Sequence, residues 1–128
     1  MPPVLDAIGV VVTDMTRALE FFRLLGVPFA EAATTEDHVE AKLPSGVRLM
    51  LDREELVRSF MPGWQPPVGQ RQTLAFLCDS PAEVDATVAR IAAAGFRVVK
   101  EPWDAFWGQR YATVASADDV AVDLFAPL

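Results

Sequence analysis

Few residues in this chain can do chemistry, and their scarcity narrows the reactions open to it. There is one histidine, His38, and one cysteine, Cys78. A histidine with a carboxylate to orient it could act as a general base or donate a hydrogen bond to a ligand. The structural alternative is a partly exposed ring paired to Glu40 or Glu36. Cys78 closes the apolar run TLAFLC, on the side expected to face a helix, where a thiol is usually buried and inert. One cysteine makes no disulfide within the chain, and one Cys with one His cannot close a structural zinc site. Ser45, Ser59, Ser80 and Ser116 lie in no Gly-x-Ser-x-Gly elbow, and no glycine-rich phosphate loop occurs. Asp118 and Asp119 read as a solvated turn.

The aromatic residues carry a stronger signal. Trp64, Trp103, Phe106, Trp107 and Tyr111 fall in two segments whose backbones are restricted by proline. Rigid rings give large contact area at small entropic cost, so the set could form a stacking wall for a flat, partly apolar ligand. The alternative is that the rings plug the open end of a small core or a dimer interface. Arg110 falls on the helix side of its strand, where an ion pair is expected because an unpaired guanidinium would be costly. Arg48 and Asp52 share the parity of Met50 and read as rim charges.

These residues need elements to position them. Leu5 to Val12 is a short β-branched apolar run, the composition of a buried strand. Thr13 or Asp14 can cap a helix of about three turns carrying Met15, Leu19 and Phe22, and Gly26 ends it. Val27 to Ala32, Asp37 to Leu43 and Val47 to Asp52 read as three further strands, the last two joined by Pro44-Ser45-Gly46. In DHVEAKL the alternation sets Val39, Ala41 and Leu43 towards the helix and His38, Glu40 and Lys42 on the other face. Residues 53–71 form a linker: a short helix over Glu54 to Phe60, then a proline-rich stretch that cannot be a continuous helix or a central strand.

The pattern then starts again. Thr73 to Cys78 reads as a strand, and Ser80-Pro81-Ala82-Glu83 is a capping box with proline at the first helical position. Val84, Val88 and Ile91 follow at helical spacing before Gly95. Phe96 to Lys100, Trp107 to Ala115 and Val120 to Phe125 supply three strands. The order is β-α-β-β-β twice, with Ala7 answered by Thr73 and Met50 by Asp123, an internal repeat whose halves should share a core. The expected fold is α+β, with two tandem modules (5–52 and 72–126) in one domain over 1–128, the sheet curling into a cup. In the second module Trp107, Gln109, Tyr111 and Thr113 share the face away from the helix, which is where a cleft is expected.

Composition sets outer limits. The chain has 128 residues, 52% hydrophobic and 23% charged, enough to bury one core and too little charge for disorder. With 11 Lys+Arg against 18 Asp+Glu the net charge is -7, which disfavours nucleic acid and anionic membranes as partners. Neither a basic leader nor an apolar run of about 20 residues is present, and a cytoplasmic location is expected.

The duplicated order, the opening IGVVVTDMTRALEFFRLLGV, TLAFLCDS and the ending WGQRYATVASADDVAVDLFAPL resemble the vicinal oxygen chelate superfamily, which includes glyoxalase I and the bleomycin-resistance proteins. Within it, LVRSFMPGWQPP, PWDAFWGQRYA and DLFAPL are most similar to the mitomycin-resistance type of small drug-binding protein. Metal-using members carry four ligands, on the first and last strand of each half, and the matching positions here are Ala7, Met50, Thr73 and Asp123. Only Asp123 is a plausible ligand, so neither a metal nor any other cofactor is expected. The ending SADDVAVD also departs from the family's glycine-containing turn.

The resemblance implies a homodimer whose clefts are completed across subunits. It also implies a metal-free binding protein that sequesters a planar aromatic or quinone-type antibiotic for self-resistance. The candidate ligand contacts are His38, Met50, Trp64, Thr73, Trp103, Phe106, Trp107, Gln109, Tyr111 and Asp123, and no catalytic residue is assigned. The alternatives are a metal-independent glyoxalase-like enzyme, a lyase, isomerase or dioxygenase relative with His38 or Asp123 as base, and an accessory protein with an empty cup.

Overall fold

Both long helices begin and end where their caps place them in the computed structural model, which describes residues 1–128, the side chain of Ala32 excepted. Helix α1 (Met15–Leu24) starts at Asp14, whose carboxylate accepts from the Arg17 amide at 3.1 Å. Gly26, at φ +86°, takes the chain out of it in the left-handed region that only glycine enters freely. Helix α3 (Pro81–Ala93) starts at Ser80, whose hydroxyl accepts from the Glu83 amide at 3.2 Å. The Glu83 carboxylate does not complete the capping box in the usual way; it accepts from Thr87 and Arg90, one and two turns on.

The chain divides into two units, Met1–Pro67 and Val68–Leu128. In unit 1, β1 (Ala7–Val12), β2 (His38–Lys42) and β3 (Arg48–Arg53) form a sheet in the order β1-β3-β2, with β1 parallel and β2 antiparallel to β3. Val10, Val12, Val39, Ala41, Leu49 and Leu51 are buried on one face, and α1 contributes Met15, Ala18, Leu19, Phe21 and Phe22 to the core. Ala7, Gly9, His38, Glu40, Arg48, Met50 and Asp52 take the opposite parity and form the open face. Helix α2 (Glu54–Phe60) follows β3 directly, as its composition predicts.

In unit 1 the expected module is corrected. Val27 to Ala32 is not a strand; the chain runs irregularly and then enters a 3-10 turn, Glu31–Thr35, so unit 1 has the order β-α-β-β. Val27 and Phe29 are buried and anchor the segment, but Pro28 lacks an amide. The Phe29 and Ala30 carbonyls are taken by the Arg23 guanidinium, at 3.4 and 2.5 Å, rather than by a strand.

In unit 2, β4 (Leu74–Leu77), β5 (Arg97–Ala105), β6 (Gln109–Ala115) and β7 (Ala121–Pro127) form a four-stranded sheet in the order β4-β7-β6-β5. Helix α3 covers one face with Val84, Thr87, Val88 and Ile91, and Ala112, Val114, Val122 and Leu124 are buried in the sheet. Here the boundaries move. Strand β5 does not stop at Lys100; it continues through Pro102 and Trp103 to Ala105, and Phe106-Trp107-Gly108 is the turn of a hairpin rather than the start of the next strand. Between the pairs Arg97–Ala115 and Ala105–Gln109, β5 has two residues more than β6. Two register shifts absorb them, and an edge strand with bulges tolerates a proline.

Candidate functional site

On the open face of unit 1, cross-strand pairing builds a chain of charges. His38 on β2 stands opposite Asp52 on β3, and its Nδ1 lies 2.5 Å from the Asp52 carboxylate. Its Nε2 lies 3.0 Å from Glu40, and Glu40 in turn accepts from Arg48 at 2.8 Å. Arg48 also donates twice to Asp6, at 3.0 and 2.7 Å. Hydrogen bonds donated by the ring to Glu40 first and to Asp52 second raise the His38 pKa above its ordinary value, and Glu40 is lowered, by His38 first and Arg48 second. With a carboxylate beside each nitrogen the protonated ring is favoured, and because both nitrogens are already engaged the ring is poorly placed to take a substrate proton. The expected pairing to Glu40 is present, and Asp52, read from parity only as a rim charge, is the second partner.

Met50 lies in the same sheet, and its sulfur is 3.8 Å from the Arg48 guanidinium. A thioether beside a fixed positive charge, with the methyl of Ala7 on the neighbouring strand, makes a poor cation site. Among the described residues no three His, Cys, Asp or Glu side chains are disposed to hold a metal ion. The residues present therefore do not fit the metal that the superfamily's metal-using members carry.

Unit 2 gathers most of the remaining candidates on the face away from α3. Strand pairing sets Tyr111 between Trp103 and Phe125, and Thr113 beside Asp123. The rings run in one contiguous array. Phe106 and Trp107 meet edge to face at 4.8 Å, Trp103 and Trp107 at 5.5 Å, and Trp107 and Tyr111 at 5.1 Å. Tyr111 and Phe125 then stack at 6.2 Å, and the Trp107 indole donates to Gln109 at 2.8 Å.

At the inner end of the array Asp123, only 9% exposed, accepts from the Tyr111 hydroxyl and the Thr113 hydroxyl, each at 2.7 Å. Burial first, and the bond to Asp123 second, push the Tyr111 pKa up to about 12, so the phenol stays a donor. At the outer end Phe106 is 90% and Trp107 48% exposed, too open for rings that plug a core.

The other assignments sort as follows. Thr73 is exposed and immediately precedes β4. Trp64 belongs to unit 1, half-buried, with the Arg58 guanidinium 5.1 Å over its ring. Arg110 makes the expected ion pair, two bonds to Asp85 of α3 and one to Asp104. Cys78 is half-buried, and burial first, with Glu83 and Asp79 nearby, raises its thiol pKa, which keeps it protonated and unreactive. Thr113, Phe125 and Asp52 are not among the candidate ligand contacts expected from the sequence, although alternation along β6 and β7 puts Thr113 and Phe125 on the face of Tyr111 and Asp123.

Residues 4–124 match the profile of the Glyoxalase/Bleomycin resistance protein/Dioxygenase superfamily, and the chain belongs to that family. A glyoxalase/bleomycin resistance protein/dioxygenase family enzyme from Burkholderia phytofirmans PsJN superposes with a TM-score of 0.84 at 16% identity, over 97% of this chain and 98% of that one. A glyoxalase-related enzyme from Fulvimarina pelagi gives 0.83 at 15% identity, over 96% and 87%. A glyoxalase/bleomycin resistance protein/dioxygenase from Nocardioides gives 0.75 at 23% identity, over 100% and 85%. At these identities the likeness is one of fold. A search of curated protein sequences returned no match.

Proposed function

We propose that the protein binds a planar aromatic small molecule on the unit 2 sheet face and releases it chemically unchanged. The observation that carries this reading is the contiguous, partly exposed ring array from Phe106 to Phe125 ending at the buried Asp123 carboxylate. Such a surface offers faces and edges to a flat ring system and a polar group to fix its orientation. The family includes bleomycin-resistance proteins, and the similarity of LVRSFMPGWQPP and PWDAFWGQRYA to the mitomycin-resistance type favours a quinone-type antibiotic, sequestered for self-resistance in the cytoplasm. A homodimer is part of the proposal, because the outer strands of the sheets leave edges that a second copy would cover. The enzyme alternative is weakened by His38, whose two nitrogens are both committed to carboxylates.

The test is a tryptophan-quenching titration with a panel of quinones and polycyclic drugs, followed by mass analysis of the recovered ligand. Saturable quenching with unaltered ligand supports binding. Multiple turnovers to an altered product would make the protein an enzyme, and no quenching by any compound would overturn the reading.

A further inference from the structure

We propose that the flat ligand of unit 2 is a cation, with Asp123 as its counter-ion; this deepens the ligand-binding reading above and rests on it. Asp123 is the one carboxylate of the unit that is buried, at 9% exposure, and its two oxygens are met only by the neutral hydroxyls of Tyr111 and Thr113. Among the described residues no basic side chain forms an ion pair with it. Three arginines of the unit are held in other ion pairs, Arg90 with Glu83, Arg97 with Asp119 and Arg110 with Asp85. A buried carboxylate without a positive partner is costly, and a hydroxyl on each oxygen relieves only part of that cost while leaving lone pairs free. A cationic ligand would supply the missing charge.

The rings beside it suit the same charge. Aromatic faces attract cations through their quadrupoles, and this array already holds one, since the Lys100 ammonium lies 5.0 Å over the Trp103 ring. Lys100 on β5 and Asp123 on β7 stand in one cross-strand row on either side of Thr113. Tyr111 joins the two features, its ring packed between Trp107 and Phe125 and its hydroxyl on Asp123. The ligand's positive group should therefore lie one or two bonds from its ring system. The chain's net charge of -7 would draw such a ligand in and repel anionic analogues.

The experiment is calorimetric titration with a matched pair, 2-naphthylmethylammonium and 2-naphthylmethanol, on the wild-type chain and on Asp123→Asn. The ammonium should bind wild type at least about tenfold more tightly than the alcohol, and in Asp123→Asn the ratio should fall to within about threefold. Binding of both compounds with equal affinity to wild type would overturn the charge assignment and leave the aromatic wall standing. Binding of neither would overturn the wall itself, and the charge assignment with it. A preference that survives in Asp123→Asn would remove Asp123 as counter-ion. The wild-type ratio needs no variant, so a substituted chain that fails to fold leaves that comparison intact.

Discussion

Tyr111 and Thr113 both reach the Asp123 carboxylate from β6, and each hydroxyl donates to one oxygen of a group that has little water to turn to. Tyr111→Phe removes one of these bonds while keeping the ring in the array. Hydrogen bonds to charged groups contribute about 1.5–3 kcal/mol, so the variant should lose stability of that order in a urea titration. His38 makes a second prediction. Its folded pKa is raised above 6.5, so the contribution of the Asp52–His38–Glu40 cluster is full below that value and is lost as pH rises through the folded pKa. As the chain's single histidine, it gives one Cε1–H resonance, whose titration midpoint should lie above 6.5 and move down in Asp52→Asn. At 42% side-chain exposure the effect on stability is small, and the midpoint is the better readout. The presence of His38 and Glu40 on one face was legible from alternation within DHVEAKL, but the contact with Asp52 was not, because a cross-strand partner depends on register that neither strand carries alone.

The helices show why local signals read well. Asp14, Ser80-Pro81, Gly26 and Gly95 act within one turn of their own positions, and the elements they bound appear as predicted. Two segments depart from the expected elements because their fate depends on distant partners. Val27 to Ala32 has the composition of a strand, yet Pro28 and the Arg23 guanidinium leave it without a ladder. Arg23→Ala should free two carbonyls, cost about 1 kcal/mol and raise amide exchange around the Glu31–Thr35 turn. The strand expected to end at Lys100 runs on through Pro102 to Ala105, because an edge strand with two bulges accommodates the proline, and this brings Trp103 beside Tyr111. The ring array is thus a property of the β5–β6 hairpin. Trp107→Ala should weaken an aromatic ligand about tenfold or more, because lost area adds to about 0.5–1.5 kcal/mol of ring pairing. It should cost little stability, since Trp107 is already 48% exposed.

For the whole molecule, the family fold is shared with chains of different chemistry, and what distinguishes this one is which side chains occupy the open sheet faces. Ala7 and Met50 offer no hard donor and Thr73 only a neutral hydroxyl, so ligand binding should be unchanged by a chelator, with elemental analysis showing no stoichiometric divalent metal. The central claim is that the hairpin face of unit 2 receives the ligand. Its most direct test is a nitrogen-proton correlation spectrum of the labelled chain titrated with 2-naphthylmethylammonium, in which the three tryptophan indoles can be followed separately. Saturable shifts of the Trp103 and Trp107 indoles, together with the amides of Tyr111 and Thr113, are expected. A ligand that binds while those four signals stay in place would contradict it.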